Sequence, residues 1–163
     1  MTTMSEHADH LDEAVVRVLY HRLLEFWNER HAPGFAELFS DEGTVVGFDG
    51  SQVNGREEIE LHLSHIFALH TPPAYVGIVR EVRQLTGDVE LLRAVAGMVP
   101  PGESDINPEL NVVQTLIAAR RDGQWKIELF HNTPAAFHGR PEIARGLTDE
   151  LRAEARLRMR ADE

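Results

Sequence analysis

The stretch WKIELFHNT, Trp125 to Thr133, starts as an alternating strand and ends on three polar residues, His131, Asn132 and Thr133. Histidine titrates near neutral pH, so an imidazole at that strand end is a candidate for proton transfer. Strict alternation puts Trp125, Ile127, Leu129 and His131 on one face and Lys126, Glu128, Phe130 and Asn132 on the other. The large apolar trio selects the first face as the inner one. His131 is therefore expected to point inward as catalytic base or acid, with a low-dielectric pocket lowering its pKa. The competing reading is a structural imidazole satisfied by a strand-end carbonyl or a buried water.

Other candidate groups are placed around it. Gln114 interrupts an apolar row of the preceding strand and is either a satisfied core amide or a pocket donor. Tyr20 and Trp27 lie on the first helix, where they are core residues or, through the Tyr20 hydroxyl, ligand contacts. Asn132 adds a carboxamide beside His131. His62 and His65 are three apart on a helix; His65 falls near the apolar face and is placed to reach a cavity, with His62 at its edge. That pair lacks an HExxH pattern or nearby acid spacing, so no metal site is expected.

These residues need elements to hold them. Leu11 to Glu29 carries apolar residues at spacings of three and four and predicts a helix; Pro33 to Phe39 predicts a short second one. TVVGF, Thr44 to Phe48, reads as a strand. VNGREEIELHLSHIFALH reads as a third helix capped by Asn54 and ended before Pro72. Tyr75 to Leu85, Val89 to Val99, Leu110 to Arg120 and Gln124 to Asn132 then alternate as strands between turn-rich segments. The order predicts an α+β domain whose antiparallel sheet wraps three helices.

The meander brings the His131 end beside the PPGESDINPE loop, which reads as a flap over an open mouth or as surface slack. Both faces of Leu110 to Arg120 are apolar, which favours a homodimer through the outer sheet face, where Phe130 is expected. The boundary is drawn at 1–133, with 134–163 as a helical extension starting after Gly139, broken at Gly146 and capped again at Thr148.

Composition limits the partners. A net charge of -11 over 163 residues opposes binding to nucleic acid or to an anionic membrane. The absence of cysteine removes disulfides, thiol catalysis and Cys-based metal sites. The first residues are polar and acidic, unlike a signal peptide, and no apolar run reaches the ~20 residues of a membrane span. A cytoplasmic protein is the expectation. No GxGxxG, P-loop, GxSxG or kinase pattern occurs, and no cofactor is expected.

FAELFSDEGTVVGFDG, VNGREEI with Phe67 closing its helix, VREVRQLTGDVELL and NVVQTLIAARRDGQWKIELFHNT together resemble the SgcJ/EcaC group of the SnoaL-like, NTF2-like superfamily. The resemblance runs from about Ala14 to Thr133. It implies a curved, mainly antiparallel sheet forming a cone around three N-terminal helices, a pocket inside the cone, and a sheet-to-sheet homodimer. The group carries an oxidoreductase label, for which this sequence shows no cofactor site. Enzymes of the superfamily are isomerases, dehydratases and aldol-type cyclases. Relatives of ketosteroid isomerase use a carboxylate base on an early strand; here Gly47 stands in that place and Asp49 is the nearest acid.

Three functions stay open at this level. One is cofactor-independent acid/base catalysis on a small apolar, polycyclic or aromatic, polyketide-like metabolite, with His131 as base or acid and Gln114 or Tyr20 as donor. Another is a non-catalytic small-ligand carrier. The third is a structural homodimer with a filled cone.

Overall fold

The computed structural model describes residues 4–161. In chain order it has α1 (Met4–Asn28), α2 (Ala32–Glu37), β1 (Phe39–Val46), β2 (Gln52–Asn54), α3 (Arg56–Leu69), β3 (Ala74–Thr86), β4 (Val89–Val99), a 3-10 turn (Pro108–Leu110), β5 (Val112–Arg121), β6 (Gln124–Pro134) and α4 (Pro141–Ala161). The six strands form one sheet in the order β2-β1-β6-β5-β4-β3. Among the described residues only the β1–β6 pair is parallel. The inner face of the sheet meets α1, α2 and α3, and Val16, Tyr20, Leu23, Phe39, Leu116 and Ile127 at its centre are fully buried.

The helical hairpin and the four long strands lie where periodicity put them. β2 is an addition: the segment expected to open a capped helix pairs with β1, and the Asn54 Oδ1 accepts from the Thr44 hydroxyl at 3.0 Å instead of capping α3. Gly55 takes the cap position with φ 96°, a left-handed conformation that favours glycine.

α4 also departs from expectation. It runs unbroken through Gly146, because Thr148 donates back to the Ala144 carbonyl at 3.1 Å and accepts from Asn111 Nδ2 at 2.9 Å. Leu147 and Leu151 pack on Val76, Val95 and Ile106, so α4 covers the outer face of β3 and β4. Ile106 belongs to the PPGESDINPE loop, and Asp105 beside it pairs with Arg152 of α4 at 2.9 Å. That loop is pinned beneath α4 and does not hang over an opening.

A β-bulge in β6 carries the largest consequence. Ile117 faces Leu129 and Ala118 faces Ile127, so Glu128 has no partner across the ladder. One extra residue reverses which side chains point inward beyond it. Ile127, Phe130 and Asn132 are buried, whereas His131 and Thr133 are exposed. The expected orientation of His131 is thus corrected: it stands on the outer face, opposite Thr115 and Val46. Phe130, expected outside, is inside. The Glu128 carboxylate anchors the bulge by accepting from the Ser40 hydroxyl at 2.9 Å, with Arg121 at 3.3 Å.

Gly77 of β3 lies against α1. A Cβ there would stand 2.3 Å from the Tyr20 hydroxyl oxygen and 2.6 Å from a Leu24 methyl. Gly77→Ala should therefore cost about 1–3 kcal/mol by overpacking. Combined with Tyr20→Phe, its cost should be less than additive in a urea double-mutant cycle; strict additivity would remove the claimed contact.

Candidate functional site

A cavity of about 330 Å³ lies inside the cone, between α3, the β1–β2 turn and the inner sheet face. Its inner wall is apolar and aromatic, with Trp27, Phe35, Ile59, Met98 and Phe130. Trp27 packs against Phe67 and Tyr75 with centroids 5.5 and 5.4 Å apart, and its ring N–H donates to the Pro73 carbonyl at 2.9 Å. The indole therefore offers the cavity an apolar surface only.

Two neutral polar groups sit in this wall. Tyr75 is 8% exposed and is held by reciprocal bonds between its backbone and the Asn28 side chain, at 2.7 and 3.0 Å. Burial pushes its phenol up to about 12, so the hydroxyl stays a neutral donor at any physiological pH. Asn132, on β6, is the other.

Asn132 is held by a buried chain of hydrogen bonds whose direction is fixed. Its Nδ2 donates to the Val46 carbonyl at 3.0 Å, and its Oδ1 accepts from Gln114 Nε2 at 2.9 Å. Gln114 Oε1 accepts from the Tyr20 hydroxyl at 2.6 Å. A backbone carbonyl can only accept, so Asn132 must turn its NH2 group toward Val46. Gln114 must then present its own NH2 to Asn132, which leaves its oxygen for Tyr20. The second N–H of Asn132 is the donor that remains for the cavity.

The rim is different in character. The β1–β2 turn contributes Gly47, Phe48, Asp49 and Ser51, and α3 contributes His62. Asp49 accepts from the Ser51 backbone N–H at 2.9 Å. That bond, with a Ser51 side-chain bond and nearby His62, holds its carboxyl below the usual range. A carboxylate and an imidazole therefore share one edge of an otherwise apolar opening.

Of the expected site residues, Trp27 and Asn132 line the cavity. Gln114 and Tyr20 are fully buried behind that wall and act on the cavity through Asn132. His65, expected to reach the cavity, does not: it is exposed in a shallow groove with Gln52, Asn54, Glu58 and His62, whereas His62 also lies at the cavity rim, at the edge expected of it. His131 lies outside the cavity for the reason given above. Tyr75, Asp49 and Phe130 were not among the expected contacts; the inward row of β3 could have indicated Tyr75. Among the described residues, no group of three or more His, Cys, Asp or Glu could hold a metal ion.

The SnoaL-like domain model matches residues 16–157, from α1 into α4. The chain belongs to the SnoaL-like domain family. No curated protein matches this SnoaL-like chain. Among solved structures, it is similar to a domain of unknown function with a cystatin-like fold from Nostoc punctiforme, at 24% identity and TM-score 0.74, over 93% of each chain. An NTF2-like protein of unknown function from Pseudomonas putida matches at 20% identity and TM-score 0.64, over 79% of this chain and 91% of that one. A ketosteroid isomerase-like protein from Erwinia carotovora matches at 14% identity and TM-score 0.59, over 76% and 95%. At these identities the likeness establishes the NTF2-like, cystatin-like fold. No helix of the described residues is long and apolar enough to cross a membrane.

The SnoaL-like cone makes two tests available. Gln114→Ala leaves the buried Asn132 oxygen and Tyr20 hydroxyl without partners and should cost about 2–4 kcal/mol in denaturant unfolding, against under ~1 kcal/mol for the exposed His131→Ala. The chain has two tyrosines, and burial raises both phenols above the ordinary ~10. A raised pKa gives stability that is present below about pH 10 and lost as pH climbs through the folded value. Ultraviolet titration of the native protein should show no tyrosinate near pH ~10, followed by cooperative alkaline unfolding; a phenol titrating at ~10 in folded protein would contradict this.

Proposed function

We propose that this SnoaL-like domain binds a small, largely apolar ring compound that carries an acceptor oxygen, such as a ketone or quinone. The observation that supports this is the direction of the Tyr20–Gln114–Asn132 chain, which makes the Asn132 carboxamide a donor toward an apolar cavity. A ligand oxygen left without that donor would be desolvated with no return, and a ligand hydrocarbon would leave the N–H unpaired. Tyr75 supplies a second neutral donor in the same wall. The volume suits a compound at the small end of the range for such sites.

The test compares a polycyclic ketone with its parent hydrocarbon by thermal shift on wild type and Asn132→Leu. A ligand at about 100 times its Kd stabilises by about 2.7 kcal/mol, a shift of several degrees. The ketone should win on wild type, and Asn132→Leu should erase its advantage. Equal binding of ketone and hydrocarbon to wild type, which needs no variant, would overturn the reading.

A second reading is cofactor-independent proton transfer of the isomerase, dehydratase or cyclase kind. It is favoured by Asp49 and His62 meeting at the rim, while Asn132 and Tyr75 would hold charge that develops on the ligand oxygen. Removing a general acid or base slows turnover by about 10²–10⁴-fold. His62→Ala and Asp49→Asn should do so with ketone affinity retained; intact affinity with no turnover in wild type leaves the carrier reading.

The motif series given above supports placement within the SgcJ/EcaC group of the family. The outer face of β5 and β6, with Val113 at 39% exposed beside Thr115, Ile117, Leu129 and His131, is left uncovered by α4 and suits a second copy of the chain. Sedimentation of wild type as a dimer and of Val113→Arg as a monomer would bear out a sheet-to-sheet homodimer, and a monomeric wild type would sink it.

A further inference from the structure

Glu90 is a buried acid that nothing in the cavity uses. It opens β4 on the inner face, eight residues before Met98 of the cavity wall and so toward the other end of the cone. It is 0% exposed, and neither carboxylate oxygen has a hydrogen-bond partner among the described residues. Across the ladders it faces Ala118 of β5 and Gln84 of β3, both neutral.

The charged groups near Glu90 are mostly of its own sign. α1 brings Asp9, Asp12 and Glu13 to it, and the nearby cation is Arg120 of β5. Arg120 is occupied elsewhere, donating to Asp88 at 3.0 Å, to Asp12 at 3.2 Å and to the Gly87 carbonyl at 2.8 Å. Asp12 also accepts from the Trp125 ring N–H at 3.3 Å, and Glu13 has His10 at 4.0 Å. A charge on Glu90 would be buried, unbonded and repelled from the helix above it.

We propose that Glu90 is a proton-operated latch for the first turns of α1. As the neutral acid it lets the segment from Asp9 to Val16 rest on the sheet. As the carboxylate it drives that segment off, while α1 from Tyr20 onward stays docked through its buried contacts. The released turns open the base of the cone at the end away from the ligand cavity. Burial first, and then Glu13, Asp12 and Asp9, push the Glu90 carboxyl up to about 7, which puts the switch in the neutral range.

The sign follows from proton binding. A carboxyl that binds its proton more tightly when docked favours docking fully below its free pKa of about 4.3 and loses that contribution as pH rises toward 7. For those two values, linkage gives an opening equilibrium about tenfold larger at about pH 8.5 than at about pH 6.

Hydrogen exchange of the full chain, corrected for intrinsic rates, should show this as about tenfold lost protection for amides between Asp9 and Val16 and little change from Tyr20 to Asn28. Glu90→Gln should be protected equally at both pH values, and Glu13→Gln should move the midpoint to lower pH. Equal loss in Glu90→Gln, or no loss in wild type, would overturn the proposal. Carbon NMR titration of the wild-type Glu90 carboxyl needs no variant: a midpoint near neutrality supports the latch and one at about 4.3 refutes it.

Discussion

The carbonyl of Val46 can only accept a hydrogen bond, and the polarity of the cavity wall is set from that one restriction. Asn132 must donate to it, Gln114 must donate to Asn132, and the Tyr20 hydroxyl must donate to Gln114. The chain ties β1, β6, β5 and α1 together, so the orientation of one amide depends on the mutual placement of four elements. It also explains Gly77. The Tyr20 hydroxyl can reach Gln114 only by occupying the space that a side chain on β3 would fill. A glycine that weakens its strand is the condition for the buried Gln114 oxygen, behind the cavity donor, to find its partner.

The bulge at Glu128 decides which residues of the closing strand take part. Without it the alternation from Ile127 would send His131 to Gln114 and Asn132 to solvent. The reason it was not legible is physical. Side-chain period reads faces correctly only while the ladder is regular, and WKIELF offers apolar residues to both faces, so no hydrophobic gap marks the slip. The extra residue is stabilised by Ser40 and Arg121, which are distant in sequence. By contrast the helix period of α1, the tight turns between β3 and β4 and between β5 and β6, and the layering of sheet on helices are local signals or direct consequences of them. Those are legible in the sequence. The sequence points to Trp27 and Asn132 as contacts, but Asn132 reaches the cavity only because the bulge reverses its face.

His62 and His65 show the same limit on a helix. They lie three positions apart and share a groove beside β2, yet of the two His62 alone also reaches the cavity rim. What divides them is β2, a three-residue strand too short to carry a period of its own. Asp49 gained its place the same way. It is a turn residue whose role as an acceptor for Ser51 is predictable, but whose position over the cone depends on β2 folding back on β1.

Tyr20 and Glu90 are both fully buried polar residues near α1, and they show two outcomes of burial. Burial makes the neutral form of each the stable one. For the phenol this has no consequence at neutral pH, since its ordinary pKa is already high and its hydroxyl is bonded to Gln114. For the carboxyl the same displacement brings the titration into the neutral range, and no hydrogen bond among the described residues compensates the charged form. The two sites divide α1 between them. Its middle is fixed by a satisfied hydrogen bond and close packing on Gly77, whereas its start rests on an acid that must keep its proton. Local stability along one continuous helix is therefore set by proton occupancy at one end and by a carbonyl of β1, acting through two amides, at its middle.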